Sequence, residues 1–235
     1  MFDSFVLLKT AHILLLATWL GVDIGVLACG WLIGRHQSSV ETRAQFARLM
    51  VWLGLWPALS LVLTVLVALA LVFVGRLGFV GWPADTTAQW MQWLAALTFL
   101  WLIATVTAFA LNVRDAGVAW LRTCQRGFIW FDTLLRCAVV IGFAWLALRA
   151  WQDETLLFLD YLRWKSLIFA GVVACGLWAR FALREFLPTL SIIAQQGSTE
   201  ELEKRLTRQM RAATVPMLIS WAGLVANIFI AVIQF

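Results

Sequence analysis

Charged residues are scarce in this chain. Of its 235 residues, 13% are charged and 63% are apolar. A water-soluble globule of this length needs more polar surface than that composition supplies. The composition therefore predicts an integral membrane protein and argues against a soluble enzyme.

The familiar motifs of soluble enzymes are missing as well. The sequence has no nucleotide-binding loop, zinc-protease signature, serine nucleophile elbow or Cys-x-x-Cys-His haem attachment. Its four cysteines lack the Cys-x-x-Cys spacing of a zinc site or redox pair, and it has only two histidines. The few ionisable residues inside the apolar runs are therefore the candidates for chemistry.

Six apolar runs are long enough to cross a membrane. A hydrocarbon core of roughly 30 Å needs about 20 residues of helix. The first run lacks the basic leader and small-residue end of a cleavable signal. We predict one domain, residues 1–235, that is an all-α bundle of six transmembrane helices. The spans fall at about 5–33, 50–75, 88–112, 127–149, 162–187 and 214–234.

Basic residues cluster in alternate connections, namely those after the first, third and fifth runs. Arginine and lysine accumulate in short cytoplasmic loops, so both termini are predicted to lie outside, in a bacterial inner membrane. The sequence pI of about 9.5 then reflects topology and contact with anionic membrane lipid. It does not indicate a nucleic-acid partner.

The segment before the last run has the pattern of a helix start. Ser198-Thr-Glu-Glu201 is typical of a capping box, in which the serine accepts from the backbone three residues on and the glutamate reaches back. Glu200 with Lys204, and Glu201 with Arg205, form favourable i,i+4 pairs. We predict a cytoplasmic helix over 198–213 that leads into the last span.

A weak internal repeat relates the two ends of the chain. The block from Asp3 to Lys9 resembles that from Asp160 to Lys165, and the returning spans carry Pro57 and Pro216 near their starts. Helices 1–2 and 5–6 are then predicted to be a parallel repeat. Helices 3 and 4 would be an insertion.

The first helix carries a stripe of functional side chains. Lys9, His12, Trp19 and Asp23 fall within a sector of about 80° on a helical wheel. Such a face should point into the bundle, since lipid exposure of ionisable groups is costly. A b-type haem would use His12 on the iron, Lys9 on a propionate and Trp19 against the macrocycle. The alternative is ordinary packing of a hydrogen-bonded histidine and a core tryptophan.

Charges also occur deep in the bundle. Asp23 lies near mid-membrane, and helix 4 offers Asp132 and Arg136 at i,i+4. Counting from the helix ends gives Asp23 and Arg136 a similar depth, so a pair between them is one expectation. The pair is either a structural network that fixes helix register or, as the catalytic candidate, a proton path or a clamp for a substrate carboxylate.

Several of these residues resemble a known family. Leu8-Lys9-Thr-Ala-His12-Ile13 followed by Trp19-Leu-Gly21 resembles the first helix of HemJ-type protoporphyrinogen oxidases and of the related CopD-like membrane domains. Shorter patches resemble their later helices: Arg48 through Ala58, Tyr161 through Lys165, and Val215-Pro216 through the final residues.

The resemblance implies a haem-b-binding membrane fold in which His12 is the ligand and Lys9 and Lys165 line the site. It also implies oxidation of protoporphyrinogen IX to protoporphyrin IX, with electrons passed to the respiratory chain. A porphyrin or a quinone is then the expected small-molecule partner, and a homodimer or larger membrane complex is compatible with the chain. His36, the other histidine, is too far along the same helix to bind the same iron.

Two other functions remain open at this stage. One is copper transport or resistance of the CopD type, although copper(I) prefers soft ligands and few lie in the predicted core. The other is a non-catalytic subunit of a larger membrane complex.

Overall fold

A computed structural model describes residues 3–35, 38–74, 84–113, 119–152 and 160–233, with all their side chains except those of 72–74, 84–88, 112–113, 119–122 and 160. Every regular element in these ranges is an α-helix, as predicted. The helices are α1 (Ser4–Ile33), α2 (Val40–Val74), α3 (Ala84–Val113), α4 (Ala119–Gln152), α5 (Asp160–Leu183), α6 (Phe186–Gln196) and α7 (Glu200–Ile233).

Six stretches are long and apolar enough to cross a membrane, which confirms the predicted number. Their mean hydropathy lies between 1.8 and 2.2. Several helices begin before the apolar run that predicted them, because their polar first turns continue the same helix. The stretches are Ser4–Ile33, Val40–Leu71, Gln89–Leu111, Thr123–Gln152, Tyr161–Gln196 and Glu200–Ile233.

The six long helices form a closed ring. Each packs on the next in the order α1, α2, α3, α4, α5, α7, and α7 returns to α1. The short helix α6 packs on α7 and α2. A ring of helices leaves room along its axis, and the interior described below lies there.

Glycines allow α7 to approach its neighbours closely. A Cβ atom built on Gly223 would lie 2.6 Å from Cγ2 of Val172 in α5, and one on Gly30 of α1 would lie 2.6 Å from Sδ of Met210 in α7. Real Cβ atoms do not approach so closely. Small residues at such crossings are the usual device for tight helix packing in membranes.

A buried ion pair fastens α7 to the start of α2. The guanidinium of Arg43 donates two parallel hydrogen bonds to the carboxylate of Glu203, at 2.7 and 2.9 Å, and Nε of Arg43 donates to the carbonyl of Ile33 at 2.7 Å. The two side chains are only 3% and 5% exposed. Bidentate pairs of this kind fix orientation as well as distance, so this contact aligns three helix ends.

The start of α7 differs from the predicted capping box. Thr199 is the residue whose hydroxyl accepts from the N–H of Leu202, at 3.4 Å, while the hydroxyl of Ser198 donates to Glu203 at 2.7 Å. The buried carboxylate of Glu203 needs that extra donor, so Ser198 is drawn away from the cap. The helix predicted over 198–213 is continuous with the last span.

The surface ion pairs near this helix are partly as expected. Glu200 and Lys204 form the predicted pair at 2.6 Å. Arg205 contacts Glu185, at 3.7 Å, in place of Glu201. Helix α6 was not predicted, since its eleven residues were taken as part of a connection.

Removing the charge of Glu203 should destabilise the protein severely. In Glu203→Gln the buried guanidinium of Arg43 loses its counter-charge, and we expect a loss of about 3 kcal/mol or more in the free energy of unfolding. The exposed Glu201→Gln is the matched control and should change it by less than about 0.5 kcal/mol. Denaturant titration in detergent measures both. Equal stabilities would show that the ion pair has no structural role.

Candidate functional site

The interior of the ring contains two cavities, one above the other along its axis. The first has a volume of about 490 Å³ and the second about 420 Å³. On five of the six long helices, all except α4, buried apolar residues lie at or beyond the edge of the first cavity and before the positions that line the second. This apolar layer consists of Leu16, Leu61, Val62, Trp101, Val172, Val173 and Leu224.

The first cavity has apolar walls and a cationic edge. Helices α1 and α5 contribute Lys9, His12 and Lys165, and no acidic side chain is among the described residues that line it. Lys165 interacts electrostatically with both His12 and Lys9. The three residues that the sequence placed at a cofactor site are therefore brought together, in surroundings suited to an anionic ligand.

The imidazole of His12 contacts a neighbouring helix, and one of its two ring nitrogens has no hydrogen bond. Its imidazole interacts with the backbone of Thr64 in α2. Its Nδ1 is buried and has no hydrogen-bond partner. Histidines that bind metals are typically oriented through one such backbone contact, so the arrangement fits an axial ligand.

Two further polar atoms in the first cavity have no partner. They are the hydroxyl oxygen of Thr64 and the amide nitrogen of Asn227, on side chains that are each only 2% exposed. Buried polar groups are almost always hydrogen-bonded. Together with Nδ1 of His12, three residues that line this cavity thus each have a buried polar atom without a partner.

Trp19 does not line the first cavity, contrary to the role suggested for it. It is buried, and its indole N–H donates to Asp23 at 3.1 Å in the second cavity. Trp19 lies about 10 Å along the helix axis from His12, and Leu16 fills the space between them. Trp101, Phe143 and Phe169 supply the aromatic wall of the first cavity instead, and the sequence analysis missed all three.

Asp132 is the centre of a charged network in the second cavity. Its carboxylate accepts from the indole N–H of Trp101 at 2.7 Å and from Nε of Arg136 at 3.0 and 3.1 Å. It also accepts from Arg180 of α5. Three helices, α3, α4 and α5, therefore meet at one carboxylate, on a side chain that is only 8% exposed.

Asp23 and Arg136 share this cavity without forming an ion pair. Arg136 uses Nε to bind Asp132, and its interaction with Asp23 is electrostatic. The direct pair expected from their depth is thus replaced by two adjacent contacts, Trp19 with Asp23 and Asp132 with Arg136. Arg180 was not among the predicted site residues, and only the packing of α5 against α4 reveals its place in the network.

Some of the sequence proposals lie outside the described residues, including His36 and the side chain of Asp160. Within the part of the chain that is described, no group of three or more His, Cys, Asp or Glu residues is placed to hold a metal ion. A metal bound by side chains alone is therefore not indicated there. A haem differs, because its macrocycle supplies the in-plane ligands and the protein supplies axial ones.

Asp132 and Asp23 should respond very differently to neutralisation. In Asp132→Asn, Arg136 loses its buried counter-charge, and we expect the free energy of unfolding to fall by about 3 kcal/mol or more. In Asp23→Asn an oxygen still accepts from Trp19, so the loss should stay below about 1 kcal/mol. Thermal and denaturant unfolding in detergent compare them. The reverse order would show that Asp23 is the counter-charge that matters.

The comparisons with known proteins add no identity to this geometry. No protein-family model matches the chain, and neither a curated protein nor a solved structure does. What the protein does must therefore be argued from its own two cavities.

Proposed function

We propose that this multi-pass protein is a haem-b-binding membrane oxidoreductase whose haem occupies the first cavity with His12 as an axial ligand. The observation that carries the proposal is the unbonded Nδ1 of His12, buried in an apolar cavity of about 490 Å³. That volume is typical of sites that enclose a cofactor.

The charges of the cavity support a porphyrin over a neutral cofactor. A b-type haem carries two propionates on one edge of an apolar macrocycle. Lys9 and Lys165 provide two ammonium groups near His12, and the described lining contains no carboxylate that would repel the propionates. Ammonium–carboxylate hydrogen bonds are among the stronger ones available inside a protein.

Each group of the cavity has a task in this proposal. Bound haem supplies one-electron redox chemistry. His12 fixes its position, the lysines hold carboxylates, and the apolar walls exclude water. Met91 lines the same cavity and offers a thioether of the kind used as a second axial ligand.

The substrate class rests on the resemblance to HemJ-type enzymes. We propose a porphyrinogen-like reductant, itself an anionic macrocycle, whose electrons leave toward the respiratory chain. Asp23 and Arg136 would then carry protons or set helix register in the second cavity. A bacterial inner membrane with both termini outside is proposed because basic residues of α2, α5 and α7, such as Arg43, Arg180 and Arg205, share one end of the ring.

Absorption spectroscopy tests the cofactor directly. The purified wild type, supplemented with haem, should show a Soret band that shifts on dithionite reduction. His12→Ala should lose this spectrum because the iron loses its protein ligand, whereas His36→Ala should keep it. A wild type that stays colourless after haem supplementation would refute the proposal.

The lysines can be tested without redox chemistry. In Lys9→Met and Lys165→Met the affinity for iron protoporphyrin IX should fall about tenfold or more, since a charge-assisted hydrogen bond contributes about 1.5–3 kcal/mol. The exposed Lys204→Met is the matched control. The dimethyl ester, which has no carboxylate, should bind all four proteins alike. Equal loss of ester affinity would mean that the lysines act through folding.

A further inference from the structure

We infer that the second cavity is a separate binding site for a neutral, lipid-soluble ring compound of the quinone–quinol class. The inference goes beyond haem binding and does not depend on it. Its basis is the charge balance of this cavity, two side chains inside it that can each form a further hydrogen bond, and an opening in the apolar part of the ring.

The formal charges of the second cavity cancel. Two carboxylates, Asp23 and Asp132, face two guanidiniums, Arg136 and Arg180, and no other charged side chain is among its described lining residues. The first cavity carries two ammonium groups and no carboxylate in its described lining. An anionic ligand is therefore drawn to the first cavity, while the second has no net charge to offset the cost of burying an ion.

Two polar groups remain available within this balanced network. The hydrogen bonds that Arg136 makes to Asp132 both use Nε, so its terminal amino groups can donate into the cavity. Asp23 receives Trp19 on Oδ2, which leaves Oδ1 to accept. A ring oxygen of a quinone can accept from Arg136, and a hydroxyl of the reduced form can donate to Asp23.

A ligand of the second cavity would enter it from the lipid phase. Gly54 of α2 lines the second cavity and is exposed, and it lies inside the candidate span Val40–Leu71. Ile129 of α4 also lines this cavity and is 37% exposed, and it lies inside the candidate span Thr123–Gln152. The cavity thus opens where the surface is apolar, so its occupant arrives from the membrane.

The walls suit a flat ring with an apolar tail. They include the methionines Met50 and Met217, whose flexible thioethers adapt to an aromatic face, and the ring of Phe109, which is held by an edge contact with Trp52 at 5.2 Å between centroids. At about 420 Å³, the cavity is within the range of small-molecule sites.

Glycines provide a matched set of blocking variants. A Cβ atom on Gly54 or Gly176, which line the second cavity, would meet nothing within 4 Å, and the same holds for Gly142, which lines the first. Leucine at each position should therefore fill its own cavity without disturbing the fold. Helicity and monodisperse elution in detergent verify this for each variant.

The experiment is calorimetric titration of the purified protein with a benzoquinone that carries one isoprenoid unit. We expect saturable binding at one site per chain. Gly54→Leu and Gly176→Leu should each weaken it at least tenfold, and Asp23→Asn should weaken the binding of the corresponding quinol, whose hydroxyl loses its acceptor, by about the same factor. Gly142→Leu should leave quinone binding unchanged and should instead lower haem uptake, measured from the Soret band. Each leucine variant would then impair binding at one cavity only.

Three results would overturn the inference. They are the absence of saturable binding to the wild type, retention of binding in both Gly54→Leu and Gly176→Leu, and its loss in Gly142→Leu, which would assign the quinone to the first cavity. Mass spectrometry adds a fourth. Stoichiometric phospholipid that the quinone cannot displace from the wild type, and that is lost in Gly176→Leu, would assign the site to a lipid headgroup.

Discussion

The carboxylate of Asp132 is the interaction on which the interior of this protein depends. Charge inside a membrane is tolerated only when it is paired and turned away from lipid. Asp132 satisfies that condition for Arg136 on its own helix and for Arg180 on α5, and it accepts the indole N–H of Trp101 on α3. Because three helices converge on one anion, their register is fixed beside the second cavity, close to the end of α5.

The same network explains why two cavities of similar size have different chemistry. Two carboxylates and two guanidiniums line the second cavity, whereas the charged side chains in the described lining of the first are lysines. Trp101 belongs to both, since its ring lines the first and its N–H binds Asp132 at the second. A structural change in one cavity can therefore be transmitted to the other through the side chain of Trp101.

The sequence predicts the architecture well because span length and apolar composition are local properties. Helix α6 was not predicted because its eleven residues are too few for a span. Its apolar face can be recognised only when its contact with α7 is known. The lysine and histidine cluster was predicted because Lys9 and His12 share a helix face and Lys165 opens a span in the same direction.

The second cavity was predicted less well. A helical wheel gives the direction of a side chain but not its position along the axis, so Trp19 was assigned to the same site as His12, although Leu16 separates them. Arg180 and Trp101 depend on which helices are neighbours, and no pattern within a single helix contains that information. The cap lies at Thr199, one residue after the predicted Ser198, because the hydroxyl of Ser198 donates to the buried carboxylate of Glu203 instead.

The apolar layer between the cavities has an electrical consequence. Polar groups reach toward the middle of the ring from both ends, so the strongly insulating path is reduced to the thickness of Leu16, Leu61 and their neighbours. A membrane potential falls mainly where the dielectric is lowest. A charge that crosses this layer would thus do part of the work of crossing the whole membrane, which is about 2.3 kcal/mol per elementary charge at 100 mV, so transfer between the cavities would be coupled to the membrane potential.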